Sequence, residues 1–256
     1  MGAHDGRVAV VTGAASGIGR AAAERIVAEG GSVVACDRDE AQLTWAGDND
    51  RIATVTGDVT DQATNERAVS VAVERFGRLD AIVLNAGIAM SGDLLTLPIE
   101  QFDRVIDVNV RAVVLGIRAA IPDMRRAGGG SIVVTASTSG IGGDPNMWPY
   151  NTSKGAVINL VRATAIDLAA DNIRVNAVCP GPTETGMTNG IRDIPEIYDS
   201  LRRHIPMQRW GQPHELAAAI SFLASPDASF ITGVALPVDG GIGANTGQFL
   251  PREASS

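Results

Sequence analysis

Short, wholly apolar runs alternate with stretches of helical spacing along almost the whole chain, and no other feature narrows the fold so far. "RVAVVTG" (7–13), "SVVACD" (32–37), "RIATVTGD" (51–58), "LDAIVLNAG" (79–87), "GSIVVTAS" (130–137), "IRVNAVCPG" (173–181) and "GVALPVDGG" (233–241) read as strands. Helical spacing occupies 17–31, 61–76, 99–126, 150–170 and 213–224. A strand without a polar face must be covered on both sides, and parallel sheets are built that way. Right-handed crossovers through the helices then give a doubly wound α/β sandwich. No linker, repeat or low-complexity segment interrupts the pattern. The expectation is one domain over 1–256, with a core of about 7–241 and a polar, turn-rich C-terminal tail over 242–256.

Composition excludes several classes of function. Apolar residues make up 45%, enough for a sizeable core, while the formal net charge of −8 argues against a nucleic-acid groove. The two cysteines, Cys36 and Cys179, sit inside apolar runs and read as buried thiols of a reducing compartment. His4, His204 and His214 are scattered without ligand spacing, so no metal is expected. "MGAHDGR" carries no apolar signal region, and no run approaches membrane-spanning length. The expectation is a cytoplasmic protein with no membrane or nucleic-acid partner.

The first strand runs straight into "TGAASGIG" and then a helix. Gly13, Ser16, Gly17, Ile18 and Gly19 thus occupy a strand-to-helix turn, where backbone N–H groups can meet a ligand phosphate. Asp37 closes the second strand, and an acid there can accept both hydroxyls of an adenosine ribose while repelling a 2′-phosphate. NAD is therefore expected over NADP, with the neighbouring Arg38 the one residue that could favour a phosphate. Asp58 and Val59 end the third strand, and Asn85, Ala86 and Gly87 end the fourth. In open α/β sheets the ligand crevice lies beyond such carboxyl ends.

The chemistry-bearing residues come later. Ser137 follows the fifth strand in "VVTASTSG". In "MWPYNTSKG", Tyr150 follows Pro149 at a helix start and Lys154 lies one turn along on the same face. A phenol with its ordinary pKa of about 10 is a poor base at neutral pH, and a nearby ammonium and the helix dipole both favour the phenolate. Each of these signals alone is commonplace. Their order is not: "TGAASGIG", "NAG", Ser137 in "STSG", "YNTSK" and "PGPTET" together resemble a classical short-chain dehydrogenase/reductase across roughly 7–241.

That resemblance implies a seven-stranded parallel Rossmann sheet flanked by helices and a catalytic tetrad of Asn109, Ser137, Tyr150 and Lys154. Tyr150 would exchange the proton with the substrate oxygen. Lys154 would lower the tyrosine pKa and hold the nicotinamide ribose, Ser137 would orient the substrate oxygen, and Asn109 would hold a water. Pro180 and Gly181 would bend the chain toward the nicotinamide, with Thr183 and Thr185 holding its carboxamide. The Tyr150–Lys154 spacing disfavours enoyl reduction. The segment 185–206 would form a lid, with Met187, Ile191, Ile194 and Tyr198 as apolar candidates. Ser139, Ile141, Met147 and Trp148 would form the opposite wall. The implied activity is hydride transfer between NAD and a secondary alcohol or ketone, apolar or alicyclic. The alternatives are an NADPH-dependent 3-oxoacyl thioester reductase or a non-catalytic dinucleotide-binding protein. Family tetramers imply a homotetramer, with Val110, Val113, Val114, Ile117, Val157, Val161 and Ala165 as candidate interface residues.

Overall fold

A computed structural model describes residues 2–251; Met1 and the end of the predicted tail, 252–256, lie outside the described residues. Each of the seven predicted strands forms: β1 (Val8–Thr12), β2 (Ser32–Asp37), β3 (Ile52–Thr56), β4 (Ala81–Leu84), β5 (Gly130–Thr135), β6 (Ile173–Pro180) and β7 (Ala235–Val238). They make one parallel sheet in the order β3-β2-β1-β4-β5-β6-β7. Chain order reverses between β1 and β4, which opens a crevice at their carboxyl ends.

The helices are α1 (Gly17–Ala28), α2 (Gln62–Phe76), α3 (Ile99–Ile106), α4 (Ala112–Arg126), α5 (Trp148–Leu168), α6 (Asn189–Arg192), α7 (Pro195–His204) and α8 (Pro213–Ala224). They cover both faces of the sheet. Val8, Val10, Val34 and Ile82 pack with α2, α4 and α5. Ala9, Val11, Val33 and Ala35 pack with α1 and α8. Alternate residues of one strand thus feed opposite layers, so β1 and β4 need no polar face. Fully burying a side chain such as Val10 contributes roughly 1.5–3 kcal/mol.

Two elements differ from the pattern read in sequence. The predicted helix over 99–126 is broken by a π-helical turn, Asp107–Arg111, that carries Asn109. Helices α6 and α7 occupy the predicted lid and left no periodic stripe, because no residue of either is buried. Charge placement and one aromatic contact form α7 instead. Pro195 and Glu196 open it, Arg202, Arg203 and His204 close it, and Tyr198 stacks on the buried Trp210.

The apolar surplus on α4 and α5 has another destination than a partner chain. Val113, Ile117, Val157, Val161 and Ala165 are buried against the chain's own sheet, and the half-buried Val110 packs against the same cluster. Val114 is also half-buried. These residues carry no argument for self-association. The large exposed apolar side chain of α5 is Ile166, at 78%.

His4, expected only to be no metal ligand, is buried at the end of α8. Its Nε2 lies 3.0 Å from Ser221 Oγ and 3.2 Å from the Ser221 carbonyl, while the Ser221 hydroxyl donates to Glu29. Burial holds the His4 imidazole below its ordinary pKa, with Glu29 opposing. The unfolded chain therefore binds a proton near pH 6.5 that the folded chain resists, and the stability from neutral His4 is lost as pH falls below about that value. Thermal melts between pH 8 and 5 will show a falling midpoint, and His4→Gln will flatten the fall below pH 6.5. An unchanged slope in the variant would rule His4 out as its source.

Candidate active site

The crevice is assembled from backbone that cannot tolerate side chains. Gly13 and Gly17 have φ of +66° and +55°, conformations that favour glycine. A Cβ on Gly13 would stand 2.9 Å from the Ala86 Cα, and one on Gly19 would stand 2.1 Å from the Gly13 carbonyl oxygen. Ser16 caps α1 in extended backbone with no side-chain bond to the first turn, and Ile18 follows half-buried on the helix. The first-turn N–H groups of α1 are therefore not satisfied by its cap residue.

Polar bonds lock this loop to its neighbours. Thr12 Oγ1 accepts from the N–H groups of Asn85 (3.0 Å) and Ala86 (3.2 Å). Asn85 donates to the carbonyls of Thr12 and Gly13 and accepts from Thr135 Oγ1 at 3.1 Å. Asp37 ends β2 with Oδ2 accepting from Ala15 N–H (3.0 Å) and Oδ1 from Asp39 N–H (3.1 Å). Each oxygen keeps a further lone pair for a ligand hydroxyl. Asp58 accepts from the Thr60 N–H (2.9 Å), and that bond first of all holds its carboxyl below the ordinary range. Val59 beside it is buried. A glycine cradle, an open helix start and an acid bonded to the cradle fit a dinucleotide.

The candidate catalytic side chains stand just after β5 and on α5. Ser137 follows β5, buried, and its Oγ accepts from the Ser139 N–H at 3.1 Å. Tyr150 lies near the start of α5. One turn on, the buried Lys154 donates from Nζ to the Thr135 carbonyl at 2.7 Å, with Nζ 5.6 Å from the Tyr150 ring centroid. Burial brings the Lys154 ammonium down to about 8. Burial also pushes the Tyr150 phenol up, the Ser137 side chain pulls it back as a hydrogen-bond partner, and the Asp144 carboxylate pushes it further up. Among these influences the Ser137 hydrogen bond is the one that lowers the phenol, while the Thr135 carbonyl engages the Lys154 ammonium.

Asn109 is buried in the π turn, where helical backbone is opened. Its Oδ1 accepts from the Ile88 N–H (2.9 Å), and Nδ2 donates to the Ile88 carbonyl (2.9 Å) and Ser153 Oγ (3.0 Å). The amide thus clamps the segment after Gly87 to α5. A Cβ on Gly87 would stand 3.2 Å from Asn109 Oδ1 and 3.5 Å from Lys154 Nζ.

The turn after β6 closes the crevice from the far side. Thr138 Oγ1 donates to the Pro180 carbonyl (3.2 Å), and Gly181 lies against Asp239, where a Cβ would be 2.8 Å from the Asp239 Cβ. Thr183 is buried and bridged to Gly211. Thr185 reaches the glycine loop: a Cβ on Gly17 would lie 3.4 Å from its methyl carbon. Tyr198, expected among the apolar pocket residues, is used elsewhere. Its ring stacks on Trp210 at 4.8 Å and its hydroxyl donates to Glu184 at 3.2 Å, while Arg192 pairs with Glu184 at 3.6 Å. Met187, Ile191, Ile194 and Ile141 remain exposed, and Met147 is half-buried. Trp148 stacks on Phe102 of α3 at 5.3 Å, and Ser139 donates to Asp144 at 2.5 Å.

Thr12, Thr135, Ser153 and Asp144 act in this network without having been singled out in sequence. Thr12 and Ser153 stand inside quoted motifs, as polar residues at a strand end and beside Tyr150. Thr135 likewise ends β5 inside the quoted "VVTASTSG"; Asp144 has no comparable signal, since its role depends on a pair that only folding brings together. Among the described residues no group of three metal-ligating side chains converges, and no helix is long and apolar enough to cross a membrane.

A family model described as Enoyl-(Acyl carrier protein) reductase matches residues 13–243. The chain is 42% identical to 2-(R)-hydroxypropyl-CoM dehydrogenase of Xanthobacter autotrophicus, over 91% of this chain and 97% of that one. It is 41% identical to meso-2,3-butanediol dehydrogenase of Serratia marcescens, over 95% and 97%. The crystal structure of 3-ketoacyl-(acyl-carrier-protein) reductase from Brucella melitensis complexed with NADH superposes with a TM-score of 0.88 at 39% identity, covering 93% of this chain and 99% of that one. With its fold and its matching residues, the chain belongs to the short-chain dehydrogenase/reductase family. It is an oxidoreductase acting on CH–OH groups with a nicotinamide dinucleotide.

Proposed function

We propose that this chain interconverts a secondary alcohol and its ketone with NAD, using Tyr150 as acid and base. The hydrogen bond between Ser137 and Tyr150, with Lys154 beside the Tyr150 ring and close to Gly87, carries the reading. The dinucleotide supplies the hydride acceptor in oxidation and the donor in reduction. Gly13, Ser16, Gly17, Ile18 and Gly19 hold its pyrophosphate and Asp37 its adenosine ribose. Asp58, Val59, Asn85, Ala86 and Gly87 line its path, and Pro180, Gly181, Thr183 and Thr185 hold the nicotinamide end. Ser137 donates to the substrate oxygen, Tyr150 gives or takes its proton, Lys154 steadies the nicotinamide ribose, and Asn109 holds the wall behind Gly87. The exposed Ile141, Met187 and Ile191, with Ser139, Met147 and Trp148 nearby, support a substrate whose body is largely apolar.

NAD is preferred because the first charge met at the ribose is the Asp37 carboxylate. Arg20, which follows the loop in sequence, is engaged with Glu24 (2.8 Å) and lies over the Trp45 ring, and Arg38 beside Asp37 is the residue that could favour a phosphate. Asp37→Ala will weaken NAD binding and narrow its advantage over NADP by about tenfold or more, as loss of a charged hydrogen bond predicts. A cofactor ratio that does not move would remove the ribose contact. Because Tyr150 must lose its proton to accept another, alcohol oxidation will accelerate with rising pH while ketone reduction will slow.

The chain is further proposed to act as a single domain, in the cytoplasm, as a homotetramer. Light scattering that gives a monomer would remove the last. A second reading is an NADPH-dependent 3-oxoacyl thioester reductase; the 39% identity to the Brucella 3-ketoacyl-(acyl-carrier-protein) reductase favours its substrate class, while that structure holds NADH. Reduced-nicotinamide absorbance, followed with secondary alcohols, ketones and a 3-oxoacyl thioester and with each dinucleotide, separates the two. A dinucleotide-binding protein without catalysis would turn over none of them.

A further inference from the structure

We propose that Asp144 is a specificity-determining residue that selects substrates carrying a second hydroxyl beside the reacting carbinol, its unshared carboxylate oxygen accepting that hydroxyl. This rests on the alcohol–ketone activity proposed above.

Asp144 lies on the loop between the two ends of the chemistry, Ser137 and Tyr150. Its Oδ2 accepts from the Ser139 hydroxyl at 2.5 Å, and the Ser139 N–H in turn donates to Ser137 Oγ at 3.1 Å. A continuous chain of bonds therefore sets the carboxylate relative to the serine that meets the substrate oxygen. Asp144 is exposed, its Oδ1 accepts from no protein group, and it enters no ion pair among the described residues.

The loop does not need that charge to hold its shape. The Asp144 carbonyl already accepts from Asn151 Nδ2 (3.0 Å) and the Met147 N–H (3.3 Å). Asn146, in left-handed backbone at φ +59°, accepts from the Gly92 N–H at 2.8 Å and ties the loop to the segment beyond β4. The side chain is thus presented by a braced loop, as a binding group should be. Its charge is also felt at the Tyr150 phenol, where it opposes the phenolate that alcohol oxidation requires. A site for simple alcohols gains nothing from such a neighbour. A substrate hydroxyl donating to Oδ1 satisfies the carboxylate, screens it from the phenol and fixes which carbinol faces Tyr150. An anionic substituent at the same place is repelled.

The test compares wild type, Asp144→Ala and Asp144→Asn on three substrates of one carbon skeleton: a vicinal diol, the mono-alcohol and the hydroxy acid. The ratio of kcat/KM for diol over mono-alcohol will fall by about tenfold to a hundredfold in Asp144→Ala, since a charged hydrogen bond to substrate is lost. Asp144→Asn, which keeps the shape and a neutral acceptor, will fall between them and will raise the efficiency on the hydroxy acid. Melting curves and dinucleotide titration establish that the variants fold. Equal losses on diol and mono-alcohol would make Asp144 a loop brace and overturn the proposal, as would an unchanged ratio. A wild type that binds the dinucleotide yet turns over none of the three overturns the underlying activity, and is told apart from failure at Asp144 because the parent itself is then silent.

Discussion

Tyr150→Phe will bind the dinucleotide as the parent does and lose turnover by about a hundredfold to ten-thousandfold, the range expected when a positioned general acid or base is removed. Phenylalanine keeps the ring that Lys154 Nζ approaches at 5.6 Å and removes only the hydroxyl. The loss should fall on kcat and kcat/KM alike, because the proton transfer belongs to the transition state rather than to binding. Steady-state kinetics beside a dinucleotide titration decides it. Turnover near the parent's level would transfer the acid–base role to another group.

Gly19→Ala will have the second large effect, on the dinucleotide rather than on the proton. The added methyl would meet the Gly13 carbonyl oxygen at 2.1 Å and Asn85 Nδ2 at 2.5 Å. Backbone cannot rotate aside as a flexible side chain can, so α1 must move away from the loop. Overpacking of this kind costs about 1–3 kcal/mol in stability, and dinucleotide affinity should fall with it because the helix start and Gly13 separate. Gly190→Ala makes the contrast: a Cβ there meets nothing within 4 Å, and its melt should match the parent's. Equal dinucleotide affinity in parent and Gly19→Ala would take the glycine loop out of the binding site.

The sheet was legible because its physics is one-dimensional. Val8 to Val11 are buried on both faces, and a strand in that state has no reason to alternate polar and apolar residues. The glycine loop, Asp37, Ser137, Tyr150 and Lys154 were legible because each stands at a strand end or a helix start that the same pattern defines. What remained hidden depends on contacts between distant segments. Helices α6 and α7 bury nothing and so carry no stripe. Tyr198 is drawn out of the pocket by Trp210 and Glu184, neither of which is near it in sequence. Val157 and Val161 look surplus until α5 is seen packed on the sheet. Asp144 looks like any loop acid until Ser139 is found to hold it.

The bond from Lys154 Nζ to the Thr135 carbonyl has a consequence for how such a protein can change. Thr135 is the last residue of β5, in register with Val178 of β6, so the ammonium proposed to take part in proton transfer is referenced to the interior of the sheet. The pocket walls, by contrast, belong to exposed loops and to lid helices with no buried residue. Local opening of the two halves therefore carries very different free energies. Mutational drift in the lid and at 139–148 can retune which alcohol is accepted while the proton-transfer geometry stays anchored. A laboratory search for new substrates should place its diversity there and leave β5 and the first two turns of α5 untouched.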